Sequence, residues 1–234
     1  MLPSGRCAMG ELGGGGGDLE GERRRLAHAA RQVAARGLVV GTAGNLSARA
    51  GELVAITPTG VPLEQLSAEQ IVAVDLAGEV VDGHGSPSSE RSLHLGVYER
   101  YGAGAVVHAH APMATALGCL LDELPVVHYQ MLELGGAVRV APYATFGTAE
   151  LAAVTLDALE GRTAALMANH GAIVYAGDID AAVERMLLLE WACSVYWHAA
   201  ALGSPRTLDE RQLADVVSEI VRRGGYGALR GEER

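Results

Sequence analysis

The chain has 234 residues, of which 49% are hydrophobic and 20% charged, and a formal net charge of −10 at pH 7. This composition is typical of a folded globular protein of one or two domains and excludes wholesale disorder. The acidic charge disfavours nucleic acid as a partner, and no apolar run is long enough to span a membrane, so we expect neither partner.

Helical and strand-like patterns alternate along the chain without an obvious linker. The first twenty residues, with five consecutive glycines, predict a flexible tail, and residues 21–234 predict one α/β domain. In chain order the patterns predict helix 22–36, strands 52–57, 71–75 and 79–81, helix 87–101, strand 104–108, helix 112–121, strands 126–128 and 138–140, helix 148–159, strands 164–167 and 172–175, and helices 178–202 and 208–223.

The basic residues are 18 arginines, and the chain has no lysine. A lysine Schiff base with a carbonyl substrate is therefore excluded, as is a P-loop lysine. Carbonyl chemistry in this protein would need another electron sink, and a metal ion is the obvious one. The three cysteines are scattered and form no C-x-x-C pair, which predicts a reducing, cytoplasmic location.

Three histidines could hold a metal ion together. His108 and His110 end a predicted strand, where residues i and i+2 face the same side, and His170 lies in a turn before Gly171. Taken singly, the H-x-H pair is more often two surface histidines and His170 a structural one. Together they give the ligand number that leaves zinc an open position for substrate.

Glu90 begins a predicted helix, where a carboxylate favourably faces the helix dipole. Beside a metal it could instead be a fourth ligand or a base. His94 follows four residues later on the same helix face, and we interpret it as packing or as support for Glu90.

Three turns offer backbone N–H groups and neutral side-chain donors. Separately they are ordinary turns or caps, but if they converged they would form a nest for a phosphate, with a helix N-terminus directed at the anion. The pairs are Gly44 with Asn45, Thr59 with Gly60, and Ser88 with Ser89.

Seven short motifs resemble, in order and spacing, those of the class II aldolase/adducin head family. The likeness extends over about residues 22–228 and is greatest to the L-fuculose-1-phosphate aldolases within that family. The motifs are GTAGNLS at 41–47, ITPTG at 56–60, PSSE at 87–90, VVHAH at 106–110, HY at 128–129, APYATFGT at 141–148 and NHG at 169–171.

The resemblance implies a fold and a set of residue roles. The implied fold is a three-layer α/β/α arrangement around a largely antiparallel sheet, in a homotetramer with active sites at subunit interfaces. His108, His110 and His170 would bind one Zn²⁺, or another divalent metal, per subunit. Glu90 would be the acid/base residue and would also ligate the metal when substrate is absent.

The remaining roles concern the substrate. Tyr129 would reach the site from a neighbouring subunit, and Tyr226 would be a mobile C-terminal tyrosine of the site. Thr42 and Phe146 would line the site. The implied phosphate cradle consists of Gly44, Asn45, Thr59, Gly60, Ser88 and Ser89.

The implied activity is reversible cleavage of a sugar 1-phosphate, such as L-fuculose 1-phosphate. The products would be dihydroxyacetone phosphate and a small aldehyde (lactaldehyde), formed through a metal-bound enediolate. One position departs from that pattern, because Asn169 stands where those aldolases carry a second histidine. This departure concerns substrate preference, since His170 itself is kept.

Other activities on the same scaffold stay open. They are methylthioribulose-1-phosphate dehydratase, pentulose-phosphate aldolase or 4-epimerase and, more remotely, a non-catalytic adducin-like head. Glu90 argues against the epimerase, because the epimerases resemble the sequence PSSD where this chain has PSSE. The three histidines argue against the adducin head, which lacks them. The dehydratase keeps the glutamate and is harder to exclude.

Overall fold

The computed structural model describes residues 18–224, which form a nine-stranded sheet between two layers of helices. The predicted three-layer α/β/α class with a largely antiparallel sheet is confirmed. The strands are β1 Asn45–Ala50, β2 Leu53–Ile56, β3 Val72–Asp75, β4 Val80–Asp82, β5 Ala105–Ala109, β6 Glu123–Leu124, β7 Val138–Ala141, β8 Ala164–Met167 and β9 Gly171–Ala176. The helices are α1 Leu19–Ala35, α2 Arg91–Tyr101, α3 Pro112–Gly118, α4 Ala149–Ala158, α5 Ile179–Leu202 and α6 Glu210–Arg222.

The sheet has the order β4-β3-β2-β1-β5-β9-β8-β7-β6, and only β7 and β8 run parallel among its described pairs. Helices α1, α3 and α5 cover one face over one apolar core, and α2 and α4 cover the other face over a second core. Side chains alternate along β5, so that Val107 enters the first core and Val106 the second. His108 shares the face of Val106 and therefore points towards the α2 layer.

Strand register brings distant parts of the sequence to one edge of the sheet. Asn45 on β1 lies opposite His108 on β5, and Ala109 lies opposite Ala172 on β9. The tight turn between β8 and β9 contains His170, whose backbone N–H donates to Met167 O at 3.1 Å. The end of β5 and this turn are therefore neighbours.

Two segments of the sheet region differ from the sequence-based prediction. Strand β1 was not predicted, because its sequence NLSARA lacks the β-branched and aromatic residues that signal a strand. It forms through its pairing with β2 and β5 and is almost wholly buried. Residues 126–128 are not a strand: Pro125 removes a backbone donor after β6, and Val127 N–H donates to Met131 Sδ instead.

The N-terminal helix begins earlier than the sequence predicted. Helix α1 begins at Leu19, inside the predicted 1–20 tail, because the Asp18 carboxylate accepts from Gly21 N–H as an N-cap. The rest of that tail and Tyr226 lie outside the described residues. Within residues 18–224, no helix combines the length and apolar character needed to cross a membrane.

Candidate functional site

The three histidines singled out in the sequence converge at the end of β5. Their ring centroids are 4.9–5.0 Å apart, and one nitrogen of each lies within 4.8 Å of the others. His108 is fully buried, and its Nδ1–H donates to Ala172 O at 3.0 Å, which leaves Nε2 to face the cluster. The nitrogens of His108, His110 and His170 could therefore bind one divalent ion together.

The cluster is also electrostatically suited to a cation. Burial, followed by the neighbouring His108, lowers the pKa of His110 from 6.5 to about 4 and lowers that of His170. Both rings are therefore neutral near pH 7, which is the form that ligates metals. The donor set of three neutral imidazoles fits a borderline metal such as zinc.

Glu90 is buried beside the histidines, directly before α2. Its Oε2 lies 3.2 Å from His108 Nε2, and its Oε1 lies 3.4 Å from His170 Nε2. Burial opposes ionisation of the carboxyl group, but His108 and the hydrogen bond from Asn45 Nδ2 outweigh it and lower the pKa. Oε1 has no hydrogen-bond partner among the described residues, so the carboxylate keeps one oxygen free beside the cluster.

A cavity of about 240 Å³ opens beside the histidines and Glu90. Three loops from different parts of the chain form its other walls, so the donor turns found in the sequence do meet at one place. Its lining contains no arginine within residues 18–224. The lining residues are Thr42, Ala43, Gly44, Asn45, Pro58, Thr59, Gly60, Ser88, Ser89, Glu90, His110, Phe146 and His170.

Backbone contacts fix the loops that form these walls. The loop after β2 joins the loop before α2, because Thr59 N–H donates to Ser86 O and Ser88 N–H donates to Thr57 O. Gly44 has a φ of +83°, and a Cβ there would lie 3.0 Å from His108 O, so this wall needs a glycine. The cavity can thus offer neutral donors to an anion next to a cation site.

The structure does not bring every predicted residue into this cavity. Tyr129 is 43% exposed and lines a separate apolar groove together with Val216 and Ile220 of α6. A role in the cavity of its own chain is therefore not supported. Tyr226 lies outside the described residues.

Two further residues near the site make contacts that the motifs did not indicate. Glu190 on α5 accepts from Met113 and Ala114 N–H at 2.9 Å, which caps α3 immediately after the H-x-H pair. Asn169 has a φ of +55°, a left-handed conformation that asparagine adopts readily, and its side chain donates to Cys119. The departure from the family motif thus lies at a turn position.

The chain is similar to known proteins over most of its length. The family model for the class II aldolase and adducin N-terminal domain matches residues 24–197. A 5-methylthioribulose-1-phosphate/5-deoxyribulose-1-phosphate aldolase from Rhodospirillum rubrum is 41% identical over 209 residues, which cover 88% of this chain and 94% of the relative. An L-fuculose phosphate aldolase from Escherichia coli K12 is 36% identical over 200 residues, covering 84% and 93%.

A solved structure of an L-fuculose 1-phosphate aldolase superposes with a TM-score of 0.82 at 36% identity, covering 85% of this chain and 95% of that one. The chain belongs to the class II aldolase and adducin N-terminal domain family. The close relatives named above are all aldolases of sugar phosphates.

His94 gives the site a testable dependence on pH. Burial, with a smaller contribution from His108, lowers its pKa from 6.5 to about 3 in the folded chain. In the unfolded chain the His94 ring therefore takes up a proton as the pH falls below 6.5, whereas in the folded chain it stays neutral. The free energy of unfolding therefore decreases as the pH falls below 6.5. Between pH 7 and pH 5 the metal-free wild type should lose about 2 kcal/mol more unfolding free energy than His94→Gln.

Urea denaturation of both proteins at the two pH values measures this difference. Titrating groups that do not interact with His94 are common to both proteins and cancel in the comparison. Equal losses of stability in wild type and His94→Gln would contradict a neutral, buried His94.

Proposed function

We propose that this protein is a metal-dependent aldolase that cleaves a ketose 1-phosphate into dihydroxyacetone phosphate and a small aldehyde. The observation that carries the proposal is a single cavity with three imidazoles and a buried carboxylate on one side and neutral donor loops on the other. The sugar-phosphate aldolases among its relatives support the same class of reaction.

His108, His110 and His170 would hold the metal, which we propose to be zinc, with Glu90 as a further ligand when substrate is absent. When bound, the metal would supply a Lewis acid that stabilises negative charge on a carbonyl substrate. The chain has no lysine, so a Schiff base cannot replace it in this role.

The loops opposite the histidines would bind the phosphate of the dihydroxyacetone phosphate half. Gly44, Thr59 and Gly60 would supply donors from one side, and Ser88 and Ser89 from the start of α2. Asn45 would contribute from β1 with the Nδ2 hydrogen that does not donate to Glu90, while Thr42 and Phe146 would border the substrate. Neutral donors suit a phosphate here because orientation, rather than chemistry at phosphorus, is what this half of the reaction needs.

Glu90 would move the proton on carbon. When the C3–C4 bond breaks, its electron pair stays on C3, and C3 must gain a proton before dihydroxyacetone phosphate leaves. During condensation the Glu90 carboxylate would remove this proton from C3, and during cleavage the carboxyl group, once protonated, would return it. The C4 hydroxyl loses one proton in the same cleavage, so no net proton is consumed. Its position beside the histidine cluster, with Oε1 unpartnered, supports this role.

The aldehyde half would meet residues from a second chain. We propose a homotetramer in which Tyr129 exchanges a proton with the aldehyde oxygen in the cavity of a neighbouring subunit, with Tyr226 also bordering that site. The exposure of Tyr129, away from its own cavity, supports an intersubunit role. A cytoplasmic location remains a prediction from the cysteine pattern.

The aldehyde itself is the least determined part of the substrate. L-fuculose 1-phosphate is one candidate, and its aldehyde product would be lactaldehyde. 5-Deoxyribulose 1-phosphate and 5-methylthioribulose 1-phosphate are equally supported candidates, because the relative with 41% identity is named for them. A dehydratase acting on methylthioribulose 1-phosphate is the alternative reaction on this scaffold.

Metal removal tests the proposal. The protein should release dihydroxyacetone phosphate from L-fuculose 1-phosphate or 5-deoxyribulose 1-phosphate, lose this activity after chelation and regain it with zinc. Glu90→Gln should retain zinc but lose nearly all turnover, because the proton donor is removed. A coupled assay for dihydroxyacetone phosphate measures both. Release that survives chelation would contradict the proposal, and zinc-loaded protein that consumes methylthioribulose 1-phosphate without releasing dihydroxyacetone phosphate would favour the dehydratase.

Subunit mixing tests the shared site. His108→Ala and Tyr129→Phe should each be inactive alone, and hybrids reassembled from the two should regain some activity, because one site then receives an intact cluster and an intact tyrosine. The matched control mixes His108→Ala with His170→Ala, which damage the same part of every site and should give no recovery. Absence of recovery in the first mixture, or equal recovery in both, would contradict the intersubunit role of Tyr129.

A further inference from the structure

A chain of buried side chains leads from the interior of the fold to Glu90. Tyr98 OH and Ser47 Oγ are 2.7 Å apart, and Ser47 Oγ and His94 Nδ1 are 2.6 Å apart. His94 Nε2 lies 2.5 Å from Asn45 Oδ1, and Asn45 Nδ2 lies 2.9 Å from Glu90 Oε2. All five side chains belong to residues that are less than 10% exposed.

Two regular spacings bring these side chains together. Glu90, His94 and Tyr98 are four residues apart and share one face of α2, for which Glu90 is the N-cap. Asn45 and Ser47 are two residues apart on β1 and share the face towards that helix. The two rows interdigitate, so each strand side chain lies between two helix side chains.

The hydrogen bonds have only one consistent direction when Glu90 is a carboxylate. Glu90 only accepts, so Asn45 must offer it the Nδ2 donor and turn Oδ1 towards His94. That oxygen needs a donor, which places the proton of a neutral His94 on Nε2 and leaves Nδ1 as an acceptor. Ser47 therefore donates to His94, and its oxygen is left to accept from Tyr98.

We propose that Ser47 and His94 are positioning residues that hold the Asn45 amide in the one orientation that donates to Glu90. We call Ser47, His94 and Asn45 the orienting chain. The proposal rests on the proposed function, in which Glu90 moves the proton on carbon. Its consequence is that Glu90 Oε2 is engaged and Oε1 is the oxygen left free beside His170.

The reversed amide shows why orientation needs support. A turn of 180° about the last side-chain bond would set Asn45 Oδ1 against Glu90 Oε2 and Nδ2 against His94 Nε2–H. Two acceptors would then face each other, as would two donors, and unpaired polar groups are costly when buried. The amide alone has nearly the same shape in both orientations, so the discrimination comes from the groups that it faces, and the donor on His94 reinforces the acceptor on Glu90.

The fixed donor on His94 depends in turn on Ser47. Without the Ser47 hydroxyl, Nδ1 loses the one hydrogen-bond donor that it has among residues 18–224, and the two neutral tautomers of the ring become closer in energy. The Tyr98 hydroxyl is not needed for the orientation of the His94 ring, because Ser47 still donates to His94 when Tyr98 is replaced by phenylalanine. Tyr98→Phe is therefore a matched control that removes a buried hydroxyl next to the orienting chain without changing its direction.

Asparagine labelling gives a readout that does not depend on activity. The chain contains only two asparagines, Asn45, which is buried, and Asn169, which is exposed. Protein labelled with ¹⁵N-asparagine therefore shows two side-chain NH₂ groups, and Asn169→Asp assigns them. In the metal-free wild type the Asn45 NH₂ should exchange its hydrogens much more slowly than that of Asn169.

The variants separate orientation from folding. Ser47→Ala and His94→Met should accelerate exchange at Asn45 in the metal-free protein, whereas Tyr98→Phe should leave it slow. In the zinc-loaded protein the same two variants should lower kcat by roughly 10- to 100-fold with KM nearly unchanged, the range typical of residues that support a catalytic group. His94→Gln, whose amide can place a donor near the position of Nε2, should recover part of the kcat lost in His94→Met.

Each outcome bears on the proposal. Slow exchange at Asn45 in both Ser47→Ala and His94→Met would overturn it, as would faster exchange with unchanged kcat. A fall of kcat in Tyr98→Phe equal to that in Ser47→Ala would also overturn it, because loss of any nearby hydroxyl would then have the same effect. If the wild type cleaves no ketose phosphate, the proposed function fails, and the exchange measurement still decides whether the orienting chain fixes Asn45.

Discussion

The pairing of β5 with β1 on one side and β9 on the other is the constraint on which the site depends. This pairing buries His108 at the centre of the sheet, opposite Asn45. It also sets the β8–β9 turn, with His170, beside the end of β5. Any slip of one residue in this register would send His108 to the opposite face and separate it from Glu90. The metal-binding geometry is thus a consequence of strand order.

Most of the polar groups around the cavity are neutral. The protein carries a net charge of −10, and the cavity offers hydroxyls and backbone N–H groups as neutral donors. Burial keeps His110 and His170 neutral, which prepares them for a cation. Glu90 is then the one buried charge of the site, and Asn45 compensates it through a hydrogen bond. Buried charges are tolerated when they are paired or bonded in this way.

Much of this arrangement could be predicted from the sequence because it follows short spacings. The alternation of β5 predicted that His108 and His110 would share a site, the turn before Gly171 added His170 and the helix start added Glu90, and the motifs resembling the family supported this set. Strand β1 escaped prediction because its sequence lacks the β-branched and aromatic residues that signal a strand. The part of Asn45 in supporting Glu90 was missed because the two residues are far apart in the sequence and meet only in the fold. Tyr129 illustrates a further limit, since the role proposed for it on another subunit leaves no local pattern.

The central claim is that His108, His110 and His170 together hold one metal ion beside Glu90. The most direct test is the zinc content and Kd of purified protein, measured by equilibrium competition with a chromogenic chelator. We expect one zinc per chain in the wild type, loss of binding in His110→Ala and His170→Ala, and unchanged binding in the control variants His128→Ala and His198→Ala. Zinc binding that survives in His170→Ala, or that is lost in His128→Ala, would contradict the claim.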